Sequence, residues 1–152
     1  MRKLNRSFAA DVVARLDALP GDAKPAWGKL TRDGVIAHLV GVFEYSMGRH
    51  EALPPQSGVP APWLLGRLLM NGIIPFPKNV RFRGNDGRVA PAMQSEEGDI
   101  ERLRAVVEEF IEGVERGGLQ LRPHPAFGEF TPKQWLKFHR VHINHHLKQF
   151  GA

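Results

Sequence analysis

The stretch Phe138-His139-Arg140-Val141-His142-Ile143-Asn144-His145-His146-Leu147-Lys148-Gln149-Phe150-Gly151 decides how this chain is read. It holds four of the seven histidines within eight residues. Just upstream, Thr131-Pro132-Lys133-Gln134 has the form of a capping box, a threonine N-cap with proline at the first helical position and glutamine at the third, and Gly151 supplies a stop. At about 100° per residue, Trp135, Phe138, His142, Ile143, His146, Leu147, Gln149 and Phe150 share one broad face, and Lys133, Lys137, Arg140, Asn144 and Lys148 share the opposite one. His142 and His146 stand one turn apart on the buried side, so their rings can present nitrogens to one point about 2 Å from each. A buried imidazole needs a partner, because an unpaired polar group away from water costs about 1 to 3 kcal/mol. His139 lies on nearly the same line and His145 towards its edge; both read as outer donors or pocket residues.

Three further long helices are expected upstream. Phe8, Val12, Leu16 and Leu19 recur at helical spacing over Ser7 to Leu19 before Pro20-Gly21. Thr31 caps a second helix running to about Arg49, and Asp99 opens a third that Gly117-Gly118 ends. Between the second and third lies a proline- and glycine-rich region, Glu51 to Gly98. Its Pro62 to Asn71 portion, with Trp63, Leu64, Leu65, Leu68 and Leu69, reads as a short extra helix packed on the bundle. Its remainder is a long loop, with a small hairpin expected around Gly84 to Gly87, and is a candidate lid. The expected fold is all-α: a four-helix bundle with one extra short helix, forming a single domain over residues 1–152.

Two imidazoles from one helix need a further ligand from elsewhere. His38 is the best placed, on the shoulder of the second helix's apolar face and on the same side as Gly34, Gly41 and Tyr45, where a neighbouring helix can approach closely. His50, near a helix end, and His124, between two prolines, are less well placed. Glu44 falls on the polar side of its helix and reads as a solvated acid. Tyr45, Trp135 and Gln149 are pocket candidates, with core packing an equal reading.

Composition narrows the chemistry. The 152 residues include no cysteine, which removes disulfides, thiolate metal sites and cysteine nucleophiles and fits a reducing cytoplasm. A net charge of +5 and a pI of about 10.0 raise the question of nucleic acid. The cations outside Lys78, Arg81, Arg83 and Arg88 alternate with acids, however, so no nucleic-acid partner is expected. The most apolar stretch, Ala61 to Phe76, is interrupted by Arg67 and Asn71 and is too short for a bilayer, so no membrane partner is expected either. No HExxH, Glu-x-x-His, Gly-x-Ser-x-Gly or phosphate-binding loop occurs.

The motifs Trp27-Gly28-Lys29-Leu30-Thr31, Ala37-His38-Leu39, His124-Pro125-Ala126-Phe127-Gly128, Trp135 and the terminal His142-to-Gly151 segment together resemble a DinB-like (YfiT-like) protein. More narrowly, they resemble an uncharacterised branch ending in a histidine-rich Gln-Phe-Gly helix. The resemblance implies up-down-down-up helix order and a metal site of one histidine on the second helix and an HxxxH pair on the last. Matched residue by residue, these are His38, His142 and His146. It also implies a divalent ion (zinc, nickel or iron) with open positions, acting on a small-molecule substrate such as a thiol by transfer or hydrolysis. A homodimer is a further expectation. The alternatives are a non-catalytic metal-binding protein and an interaction module of the same fold.

Overall fold

Each of the four long helices begins where a side chain satisfies an amide that the first turn leaves free. In the computed structural model, which describes residues 3–90 and 99–152, five helices run in the order α1 (Arg6–Asp17), α2 (Arg32–Ser46), α3 (Pro62–Met70), α4 (Ile100–Arg116) and α5 (Pro132–Phe150). Asn5, Thr31 and Asp99 accept from Phe8, Gly34 and Arg102 N–H at 2.9, 3.0 and 2.7 Å. At α5 the box closes both ways: Thr131 Oγ1 accepts from Gln134 N–H, and Thr131 N–H donates to Gln134 Oε1. Gly117 and Gly151 end α4 and α5 in the left-handed conformation at φ 73° and 68°, which glycine adopts without a Cβ clash.

One apolar core draws on all five helices, with Leu16, Ile36, Leu39, Phe43, Leu69, Leu103, Phe110, Trp135 and Ile143 almost fully enclosed. α4 packs against α1 and α2, and α5 against α3 as well as the other long helices. Arg6 ties α1 to α4 through Glu108 and Glu115. No helix among the described residues is long and apolar enough to cross a membrane.

The expected helix starts and stops hold to within two or three residues, and the second helix ends at Ser46 rather than Arg49 because Gly48 turns the chain at φ 81°. The short helix differs more from its reading. It buries only Gly66, Leu69 and Met70 and leaves Trp63 and Leu64 at 64 % and 41 % exposure. Its contact edge is Gly66, where a Cβ would stand 3.1 Å from Phe127, so the side without a side chain faces the protein. Gly34 also departs from expectation, since it faces Thr31 and Leu30 of its own helix entry and no neighbouring helix.

The loops are stitched to the bundle and to each other. Ala26 N–H donates to Gln149 O at 2.7 Å, and Arg122 N–H to Ser46 O at 3.0 Å. Gln56 exchanges two hydrogen bonds with the Arg83 backbone, joining the segments on either side of α3. The hairpin expected around Gly84 to Gly87 is a tight turn closed by Gly84 N–H to Arg88 O and an isolated bridge between Arg83 and Val89. The final part of the candidate lid, residues 91–98, lies outside the described residues.

Candidate metal centre

α2 and α5 cross so that His38, His142 and His146 turn their ring edges towards one another. His142 Nε2 lies 3.2 Å from His38 Nε2 and 3.0 Å from His146 Nε2. One nitrogen from each ring falls within 4.8 Å of the others. The three rings stand nearly perpendicular in pairs, at 81°, 73° and 75°, so edges and not faces converge. Two nitrogens bound to one ion at about 2.05 Å, with an angle between tetrahedral and right, are roughly 2.9 to 3.4 Å apart. The two observed spacings fall in that interval.

Protonation follows from the neighbours. Gln149 Nε2 donates to the Trp27 carbonyl at 2.7 Å, and that carbonyl can only accept, so the amide oxygen is the atom 2.8 Å from His146 Nδ1. His146 Nδ1 therefore carries the proton, and its Nε2 presents a lone pair to the centre. Burial, reinforced by His38, pushes the His146 imidazolium down to about 3, against the opposing pull of Gln149. Burial together with His146 and His38 pushes His142 well below the usual imidazole range. Both are neutral at pH 7, the form in which imidazole binds a metal.

Two lone pairs facing each other across about 3 Å repel unless a proton or a cation lies between them. His142 can donate one Nε2 proton to the cluster, but its Nδ1 is then a bare acceptor, and that atom is buried without a hydrogen-bond partner. Either tautomer of His142 therefore leaves its Nδ1 unsatisfied among the described residues, and the tautomer that protonates Nδ1 also sets its Nε2 lone pair against that of His146. The donor set, all nitrogen with no carboxylate, suits zinc, nickel or iron(II).

His139, read from sequence as an outer donor or pocket residue, is instead a core residue. Its ring stacks on Phe43 at 3.8 Å and on Trp135 at 5.2 Å, and its Nε2 is 3.2 Å from Ser46 Oγ. The Ser46 hydroxyl proton goes to Phe43 O at 2.7 Å, so Ser46 accepts and His139 donates. His145 does reach the cavity, between Trp27 and Phe76. His124, less well placed as a ligand by sequence, lies in the loop between α4 and α5 and is buried there among Phe127, Phe130, Trp135 and Phe138; its Nδ1 accepts from Ala126 N–H, and burial lowers it to about 3.

Glu44 corrects the reading of a solvated acid. It is 7 % exposed and bridges Arg102 of α4 at 2.6 Å and His50 at 3.0 Å. α4 packs on that side of α2 and brings a guanidinium from 58 residues away, which local periodicity cannot foresee.

A cleft of about 990 Å³ opens onto the triad, lined chiefly by apolar side chains together with Tyr45, Trp135, His145 and Gln149. The feature that sequence reasoning missed is the Gln149 brace. Its spacing of three from His146 was available as a signal. The other half, the Trp27 carbonyl, is not local in sequence. Gly28 belongs to it too: at φ 77° and with a would-be Cβ 3.0 Å from Gln149 Nε2, this position strains any side chain and presses it on the amide.

No curated protein and no solved structure matches the chain. The family described as a protein of unknown function, DUF1569, matches residues 7–152, a span that holds α1 from its second residue, the other four helices and all three converging histidines, and the chain belongs to that family.

Proposed function

We propose that the protein is a divalent-metal enzyme acting on a small molecule, with His38, His142 and His146 as the protein ligands of zinc, nickel or iron and with coordination positions left for substrate. The observation that carries this reading is the convergence of three imidazole Nε2 atoms at 3.0 and 3.2 Å spacing, with the His146 tautomer set by Gln149. The motif resemblance to DinB-like proteins supports the same ligand set and an up-down-down-up arrangement of the four long helices, and a chain without cysteine fits a cytoplasmic protein. An ion held there would supply Lewis acidity, able to activate water or a thiol near neutral pH.

The chain's own residues do the rest. Gln149 and the Trp27 carbonyl hold His146 in its binding tautomer, Phe76 and Phe138 stack against His142 and fix its plane, and the apolar cleft walls exclude water from the reacting end. Thiol transfer and hydrolysis both suit such a centre. The test is to screen zinc-, nickel- and iron-loaded protein against thiol conjugation with glutathione, bacillithiol and mycothiol, and against ester and amide hydrolysis. Turnover that disappears with chelator and returns with metal is expected. Stoichiometric metal binding without turnover in either screen would favour the second reading, a non-catalytic metal-binding protein.

A further inference from the structure

The cleft that opens onto the triad is positively charged at its rim and apolar along its walls. Lys29, Arg81 and Arg83 line it, and no aspartate or glutamate does so among the described residues. Lys78 adds a further cation beside the opening, 4.3 Å above the ring of Trp27, itself a lining residue. Arg81 and Arg83 are exposed, whereas His142 and His146 at the inner end are 5 % and 6 % exposed, so the cations and the triad mark opposite depths of one cavity. Arg83 is held in place, since Gln56 binds its backbone on both sides and its guanidinium donates to Gly87 O at 2.8 Å. Between rim and floor the walls are side chains such as Leu65, Phe76 and Phe127.

Charge of one sign around an apolar cavity selects ligands of the opposite sign and raises their local concentration. Apolar walls favour a hydrocarbon body, at about 25 cal/mol for each Å² taken from water. We propose that the cleft takes an organic anion with an apolar body, its charged end at Lys29, Arg81 and Arg83 and its other end directed towards His38, His142 and His146. The orientation rests on the metal-centre reading; the selection for an anion does not.

Octanoate, 1-octanol and octylammonium share a chain and differ in charge, so they serve as probes. Calorimetric titration of chelator-stripped protein should give octanoate about tenfold tighter binding than octanol, the combined effect of two or three partly exposed charge contacts, with octylammonium weakest. Raised salt should narrow the gap. A Lys29→Gln/Arg81→Gln/Arg83→Gln variant should bring octanoate to the octanol level and leave octanol unchanged. Octylammonium binding as tightly as octanoate, or a variant that keeps the full preference, would overturn the proposal. Because the titration uses metal-free protein, failure to take up metal leaves this result standing, and loss of anion preference leaves metal uptake intact.

Discussion

The two halves of α5 carry buried histidines in opposite roles. Near its middle, His139 is enclosed by Phe43 and Trp135 and spends its one proton on Ser46. One and two turns on, His142 and His146 are buried almost as deeply, and burial pushes all three imidazolium forms down. What separates them is the partner. The Nε2 of His139 meets a hydroxyl oxygen that accepts from it, whereas the Nε2 atoms of His142 and His146 meet each other and that of His38, all imidazoles. Depth of burial therefore says little about a histidine's role, and the chemistry facing its nitrogens says most of it.

The comparison can be broken by truncating each side in turn. A His146→Ala variant should lose metal affinity by more than the roughly 100-fold that marks the upper end for outer partners, whereas His139→Ala should keep wild-type metal stoichiometry while losing stability. Equilibrium dialysis and urea unfolding on both variants separate the two effects. If His139→Ala lost metal as His146→Ala does, the division between the halves would be wrong.

The brace can be tested next. Gln149→Leu removes the acceptor from His146 Nδ1 and should weaken metal binding about 10- to 100-fold at unchanged stoichiometry. Gly28→Ala presses on the same amide and strains a left-handed position, so it should weaken binding in the same direction while costing about 1 to 2 kcal/mol of stability. On the core side, Ser46→Ala leaves His139 N–H buried without its acceptor and should cost about 1 to 3 kcal/mol in urea unfolding, with metal affinity unmoved.

Acid acts on both sides of the comparison at once. His124 and His146 titrate at about 3 in the folded protein and near 6.5 when unfolded. Above 6.5 both states are neutral and stability is flat. Between 6.5 and 3 the unfolded chain binds more protons, so metal-free stability should fall steadily as the solution is acidified, by up to about 1.4 kcal/mol per pH unit for each histidine. Urea midpoints measured at pH 7, 5.5 and 4 check this; a flat profile would mean that these imidazoles are not held neutral.

How much of this is legible in the sequence depends on how far apart the partners lie. The capping box, the glycine stop and the shared face of His142 and His146 all sit within one helix, and local spacing suffices for them. His38 is a single histidine on another helix, singled out by its shoulder position and above all by a family pattern. Glu44 with Arg102, His139 with Ser46 and Gln149 with the Trp27 carbonyl join residues 58, 93 and 122 positions apart. No periodicity within one helix predicts which polar group a second helix will bring. Trp63 and Leu64 teach the converse, since an apolar run made α3 readable as a helix but not the side it turns to solvent.

The central claim is that three imidazoles of this chain hold one ion. Elemental analysis of untagged protein, stripped with chelator, reloaded with zinc and dialysed, tests it most directly. The account predicts one zinc per chain, lost in a His142→Ala/His146→Ala variant that still folds by circular dichroism. Wild-type protein without stoichiometric metal, or a double variant that binds zinc as well as the wild type, would contradict it.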